Sequence, residues 1–90
     1  MATLSICYEG KVQGIGFRAT VLSLAKGFEI RGWIKNLPDG GVELFAMGET
    51  QEVEEFLNSI RDSHLAGHID RETILPAAPE PGIRGFRIIP

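Results

Sequence analysis

The chain has 90 residues, which suffices for one small domain, predicted to span residues 1–90, and is too short for two hydrophobic cores. Its composition, 43% hydrophobic and 23% charged, is that of an ordinary globular protein and excludes disorder over the whole chain. The net charge is −3, and residues 1–48 carry five Lys or Arg against four Asp or Glu, so we expect no nucleic-acid partner, which would need a larger basic excess.

A glycine-rich loop is predicted between the first strand and the first helix. Alternating apolar residues indicate a strand over about Leu4–Lys11, and apolar residues at helical spacing indicate a helix over about Phe17–Phe28. Gly14 and Gly16 allow a tight turn that exposes backbone N–H groups at the positive end of the helix. Arg18 follows in the first helical turn, where its guanidinium can bind an anion such as phosphate. Plain turn glycines and a solvated arginine are the alternative at this point.

Two other interpretations of this part of the chain are weaker. Gly14-x-Gly16-x-x-Ala19 formally matches the dinucleotide fingerprint, but the second predicted strand ends at Asn36 and not at the acidic residue that binds ribose. Cys7 is the only cysteine and lies in the alternating run, so we predict a strand residue and not a nucleophile, in a protein without a disulfide.

The middle of the chain predicts a hairpin followed by a second helix. Strands are expected over Ile30–Lys35 and Val42–Met47, joined by a tight turn rich in proline and glycine. Thr50 is predicted as the N-cap of a helix that ends near Asp62. The acidic residues at its start are expected to form a solvated face, without a metal site.

The last third predicts two further strands. After a loop that contains His64 and Gly67, a strand is expected over His68–Leu75, and a short terminal strand over Phe86–Ile89. Three prolines place the segment 76–85 at the surface as a connection. The element order is that of an α+β ferredoxin-like sandwich (βαββαβ), with an antiparallel sheet and two helices on one face. We expect a cytoplasmic protein without a membrane partner, because no signal peptide or membrane span is recognisable.

Two long stretches make the chain resemble the acylphosphatases. They are Gly10-Lys11-Val12-Gln13-Gly14-Ile15-Gly16-Phe17-Arg18 and Gly32-Trp33-Ile34-Lys35-Asn36-Leu37-Pro38-Asp39-Gly40. A looser similarity continues to Phe86-Arg87-Ile88 and so covers essentially the whole chain. The resemblance implies hydrolysis of the carboxyl–phosphate bond of a small acyl phosphate to carboxylate and inorganic phosphate, by in-line attack of a water. It also implies that no metal or organic cofactor is used, and we expect a monomer.

The same resemblance implies a role for individual residues. Arg18 matches the family's phosphate-binding arginine, and Asn36 matches its water-orienting asparagine. The backbone amides of the loop would cradle the phosphate; they belong to Gln13, Gly14, Ile15, Gly16 and Phe17. An amide side chain accepts a hydrogen bond from water but cannot take its proton, so the proton would go to a phosphate oxygen of the substrate.

The chain also departs from the family pattern. Ala19-Thr20 stand where aromatic residues are usual, which places the acyl-group preference in question, and Glu29 stands where glycine is frequent. A non-catalytic or carbamoyl-phosphate-related module is the alternative, since related domains occur at the start of larger hydrogenase-maturation proteins. The end of the chain at Pro90 leads us to expect the free-standing enzyme.

Overall fold

The computed structural model describes all 90 residues and contains five strands, two α-helices and a short 3₁₀ helix. In chain order these elements are β1 (Ala2–Gly10), α1 (Phe17–Ala25), β2 (Ile30–Asn36), β3 (Val42–Gly48), α2 (Thr50–Arg61), the 3₁₀ helix (His64–His68), β4 (Ile69–Pro76) and β5 (Phe86–Ile88). Neither α-helix has the apolar length that is needed to cross a membrane.

The five strands form one sheet in the order β4-β1-β3-β2-β5. The first four strands pair antiparallel, as predicted, and the ferredoxin-like sandwich is confirmed. The sheet is nevertheless mixed, because β5 pairs parallel to β2, with Ile34 opposite Ile88. The long connection 77–85 carries the chain from β4, at one edge of the sheet, to the other edge beside β2. β5 runs opposite to β4 and therefore in the same direction as β2.

Both helices pack on the same face of the sheet. Residues from α1, α2 and the central strands share one buried cluster, in which Tyr8 and Phe17 pack with ring centroids 5.3 Å apart. The cluster consists of Ile6, Tyr8, Val12, Phe17, Val21, Ala25, Ile30, Ile34, Val42, Leu44, Ala46, Val53, Phe56, Leu57, Ile60 and Leu65. Its burial is the main source of folding free energy, at about 25 cal/mol per Å² of apolar surface.

The connection 77–85 crosses the opposite face of the sheet. Its backbone bonds to the sheet at Thr3, where Ala77 N donates to the carbonyl oxygen at 3.0 Å, and at Met47, where Glu80 N donates to Sδ at 3.2 Å. Met47 is consequently only 2% exposed although it faces away from the helices, and Phe45, on the same face, is 3% exposed beneath the stacked ring of Trp33. The predicted surface connection therefore also acts as a cover for this face of the sheet.

Two helix ends differ from the sequence prediction. α1 ends at Ala25 and not at Phe28, because the N–H groups of Gly27 and Phe28 bond three residues back, to Leu24 and Ala25, and tighten the last turn. The prediction of Thr50 as N-cap was wrong. Glu49 occupies that position and no side chain caps the helix.

The segment before β4 also differs from a simple loop. His64–His68 form the 3₁₀ helix, which the Ser63 hydroxyl caps by accepting from Leu65 N at 3.1 Å, and the buried Leu65 anchors it to the core. β4 then begins at Ile69 and extends to Pro76. A proline is accommodated there because β4 is an edge strand, and its position needs no N–H donor.

Candidate active site

The loop between β1 and α1 has the conformation that the glycines predict. Gly14 and Gly16 have φ angles of 80° and 78°, in the left-handed region that favours glycine. Gly16 directly precedes α1, and its carbonyl accepts the first helical hydrogen bond from Thr20 N at 2.9 Å. No side chain caps this helix end, so the first N–H groups of α1 are available to a ligand.

A cleft of about 190 Å³ lies beside this loop. Its lining comes from four parts of the chain: the loop, the first turn of α1, the end of β2 and the end of β5. The lining residues are Val12, Gln13, Gly14, Gly16, Phe17, Arg18, Ala19, Asn36 and Ile88. The buried Val12 and Phe17 form its apolar base and tie it to the hydrophobic core. The fold thus brings Arg18 and Asn36, which are 18 positions apart in the sequence, to the same cavity.

Arg18 is half-buried in this cleft and has no acidic partner. The ion pairs of the molecule lie elsewhere, at Lys35–Glu43, Arg61–Glu72 and Arg71–Glu9. A guanidinium without a carboxylate partner, next to unpaired helical N–H groups, favours the binding of an anion.

Asn36 is the last residue of β2 and presents an amide to the same cleft. Its Oδ1 atom is buried and accepts no hydrogen bond from the protein. Buried side-chain oxygens are almost always paired, so an unpaired amide oxygen at a ligand cleft indicates an acceptor for an O–H or N–H group of a bound molecule.

Gln13 connects the loop to the turn that follows Asn36. Its Nε2 atom lies 2.8 Å from the carbonyl oxygen of Leu37 and 2.8 Å from that of Gly41. Both partners are acceptors, so the amide nitrogen and not the oxygen faces them. From the sequence, only the backbone of Gln13 was predicted to have a role. Its side-chain contact, which joins residues 24 and 28 positions apart, was not predicted.

Most of the predicted site residues meet in the cleft. Gln13, Gly14, Gly16, Phe17, Arg18 and Asn36 all line it. Ile15 does not: its side chain is 36% exposed, and only its backbone amide could serve the site. Ile88 is a lining residue that sequence reasoning missed. The parallel pairing of β5 with β2 places it there, and no local pattern in the sequence reports that pairing.

Arg18 is the only titratable side chain that lines the cleft. The two groups with clearly shifted pKa values lie outside it. Burial, followed by the Glu43 carboxylate, raises the pKa of the Cys7 thiol, and burial, followed by the Glu72 carboxylate, raises the pKa of Tyr8. No His, Asp, Glu, Lys or Cys is therefore placed to act as a general base in the cleft. No three His, Cys, Asp or Glu side chains are grouped to hold a metal ion.

The fold and the cleft define a small α+β protein of the ferredoxin-like class, with a cleft beside a glycine-rich loop. The family model described as Acylphosphatase matches residues 4–88. The chain therefore belongs to the acylphosphatase family, and the family prediction made from its two motifs is confirmed.

The relatives and solved structures agree with this assignment. The chain is 43% identical over 63 residues to an acylphosphatase of Methanospirillum hungatei, with 70% of this chain and 69% of the relative covered. It is 42% identical over 71 residues to an acylphosphatase of Lactobacillus gasseri, with 78% of each covered. The crystal structure of acylphosphatase from Bacillus subtilis superposes with a TM-score of 0.87 at 28% identity, over 99% of both chains.

Proposed function

We propose that this protein hydrolyses small acyl phosphates to a carboxylate and inorganic phosphate, with Arg18 and Asn36 as its catalytic residues. Membership of the acylphosphatase family supports the reaction class. The observation that carries the assignment of residues is that an arginine without an acidic partner and a buried amide oxygen without a hydrogen bond line the same cleft.

In this proposal the loop and Arg18 bind the transferred phosphoryl group. The backbone amides of Gln13 through Phe17 surround its oxygens, and the guanidinium of Arg18 binds two of them. These donors are fixed before the substrate arrives, since Gly14 and Gly16 already have the left-handed conformation of the loop. Preorganised donors of this kind stabilise the charge that develops on the equatorial oxygens during phosphoryl transfer.

The amide oxygen of Asn36 accepts a hydrogen bond from the attacking water and orients it in line with the scissile bond. The bond from the water oxygen to phosphorus forms as the bond from phosphorus to the acyl oxygen breaks, and the carboxylate leaves. An amide cannot take the water proton, and the cleft offers no side-chain base. The proton therefore passes to an oxygen of the phosphoryl group, which then leaves as inorganic phosphate.

A second candidate function is a carbamoyl-phosphate-related anion-binding module within a larger assembly. The fold supports it, because the chain superposes on a segment of HypF from T. kodakarensis with a TM-score of 0.85 at 30% identity. That similarity covers all of this chain but 12% of HypF. The activity on acetyl phosphate and on carbamoyl phosphate, measured side by side, separates the two candidates.

Several further assignments stay predictions from the sequence. Residues 1–90 are expected to form one acylphosphatase-like domain, and the protein is expected to be monomeric and to bind neither nucleic acid nor membranes. A cytoplasmic location is expected as well. The free thiol of Cys7 is compatible with a reducing compartment.

The direct test is phosphate release from acetyl phosphate by the purified protein and by two variants. Arg18→Ala and Asn36→Ala should each lower kcat/KM by about 100-fold or more, which is typical for the loss of a group that stabilises the transition state. Arg84→Ala and Asn58→Ala are matched controls, because both residues are exposed and lie outside the cleft. Near-native turnover of either cleft variant would disprove the role of that residue, and an inactive native protein would disprove the function.

A further inference from the structure

We propose that the side chain of Gln13 is a positioning residue that sets the placement of the phosphate loop relative to Asn36. The inference rests on the proposed function, because it assigns the phosphate to the loop and the attacking water to Asn36. It concerns the side-chain amide of Gln13, whereas the proposed function uses only its backbone N–H.

The contact is specific on both sides. Gln13 Nε2 has two N–H groups, and the two carbonyl oxygens of Leu37 and Gly41 both lie 2.8 Å from it. Leu37 directly follows Asn36, so the side chain is attached one residue beyond the proposed water-orienting amide. Through this hydrogen bond a shift of the loop would displace the end of β2, and a shift of the end of β2 would displace the loop.

The turn that Gln13 binds is itself well fixed. Leu37 N donates to the carbonyl oxygen of Gly41 at 2.8 Å, and Gly41 N donates to Oδ1 of Asp39 at 2.8 Å. The carbonyls that receive the Gln13 amide therefore belong to a closed, hydrogen-bonded turn. This turn is a firm support for the loop on the other side of the cleft.

No other hydrogen bond joins the loop 11–16 to the turn 37–41. β1 and β2 do not pair with each other, because β3 lies between them in the sheet. Both strands pair with β3, where Val42 lies opposite Tyr8 and Asn36, so the ladder fixes the ends of β1 and β2 relative to each other. The loop beyond Gly10 lies outside this ladder, and no backbone hydrogen bond connects it to the turn 37–41. The two bonds of Gln13 supply the polar part of this connection.

Loss of this connection should impair the reaction step more than the binding of phosphate. The phosphate ligands, namely the loop amides and Arg18, belong to one continuous segment and stay together without the Gln13 side chain. The water on Asn36, by contrast, would lose its alignment with the phosphorus atom. A misplacement of about 1 Å between reacting groups lowers the rate about 100-fold.

The test compares the native protein with Gln13→Met, which keeps the length of the side chain and removes its donors, and with Gln13→Glu, whose ionised carboxylate also has none. Ser5→Ala is the matched control. It removes another half-buried cross-strand hydrogen bond, from Ser5 Oγ to Glu43 Oε2 at 3.0 Å, away from the cleft. For each protein kcat and KM for acetyl phosphate, the inhibition constant of inorganic phosphate and Tm are measured.

We expect kcat to fall by about 10- to 100-fold in both Gln13 variants, with the inhibition constant of phosphate within about 3-fold of the native value in the uncharged Gln13→Met. Ser5→Ala should lower Tm and leave kcat unchanged. An unchanged kcat in Gln13→Met, or in Gln13→Glu should the first variant not fold, would overturn the inference. So would a loss of phosphate affinity in parallel with kcat in Gln13→Met. An inactive native protein would instead overturn the proposed function, and this inference with it.

Discussion

The hydroxyl of Tyr8 and the Oε2 atom of Glu72 are both buried, and neither makes a hydrogen bond. The two residues are directly paired across β1 and β4. Glu72 is held from the other side by Arg61, whose Nη2 and Nε atoms lie 2.9 Å and 3.0 Å from its Oε1. The sheet edge next to the core thus contains a neutral phenol beside a carboxylate that is already paired.

This relationship predicts a loss of stability at alkaline pH. Burial and the Glu72 carboxylate raise the pKa of Tyr8 above its ordinary value of 10.0. Above pH 10.0 the unfolded chain releases the phenol proton and the folded chain keeps it. The contribution of Tyr8 is therefore complete below that pH and is lost as pH rises toward the folded pKa, at about 1.4 kcal/mol per pH unit.

Urea unfolding at pH values on either side of 10.0 measures this effect, and Tyr8→Phe is the control because it removes the only tyrosine. The free energy of unfolding of the native protein should fall relative to that of Tyr8→Phe as the pH rises. Parallel curves for the two proteins would show that the Tyr8 phenol titrates alike in the folded and unfolded states.

A second prediction concerns the conformation of the loop. Gly16→Ala should lower kcat/KM because Gly16 has a φ of 78°, a region that costs an L-residue about 1–2 kcal/mol. Nothing lies within 4 Å of the added methyl group, so strain and not a clash is the cause. Gly27→Ala is the control: its added methyl meets only ordinary contacts, and its φ lies outside the left-handed region. Equal activity of the two variants would show that the loop tolerates a changed backbone.

The loop, the hairpin and the ends of β2 could be predicted from the sequence because their signals are local. Glycines at a strand-to-helix junction and a proline–glycine turn constrain the backbone wherever they occur. The resemblance then linked Arg18 and Asn36, and the structure brings both to one cleft.

The remaining parts of the site depend on contacts between distant segments. The side-chain amide of Gln13 donates to two backbone carbonyls in the turn between β2 and β3. Because every residue has a backbone carbonyl, no sequence pattern identifies these two as its partners. Ile88 reaches the cleft only because β5 crosses to the far edge of the sheet. At Thr50 a local signal was present but misleading. Threonine is a good capping residue, but α2 begins at Thr50 itself, and Glu49 occupies the N-cap position.

A third prediction concerns Cys7, which lies on the strand next to the loop. Burial and the Glu43 carboxylate raise the pKa of its thiol, so little nucleophilic thiolate forms at neutral pH. Cys7→Ser should keep kcat/KM for acetyl phosphate within about 2-fold, and alkylation of the native thiol at pH 7 should be slow. The reaction of the unfolded chain with the same reagent is the reference rate. A large loss of activity in Cys7→Ser would indicate a role in the reaction.

A fourth prediction concerns metal ions. The proposed mechanism stabilises the phosphoryl charge with Arg18 and backbone amides, and no His, Cys, Asp or Glu side chain lines the cleft. Prolonged treatment with EDTA, followed by assay in metal-free buffer, should leave kcat/KM unchanged. Restoration of a lost activity by one added divalent cation would show that the chain needs a metal for this reaction.

The fifth prediction separates a water-orienting amide from a general base. Asn36→Asp keeps the shape of the side chain and places an ionised carboxylate beside the phosphoryl group. The two negative charges repel each other. We expect kcat/KM to fall about 100-fold at neutral pH, and to recover in part as the pH is lowered toward the ordinary carboxyl pKa of about 3.9, because the neutral acid again offers an uncharged acceptor. The native protein should not share this rise.

The control for this substitution is Asn58→Asp, on the exposed surface of α2 and away from the cleft, which adds the same net charge to the protein. It should leave the pH profile of kcat/KM unchanged. A higher activity of Asn36→Asp at neutral pH than at acid pH would mean that a carboxylate at this position accelerates the reaction by taking the water proton. In that case the lack of a base limits the reaction rate of the native protein, and the proposed transfer of the water proton to the substrate would be wrong.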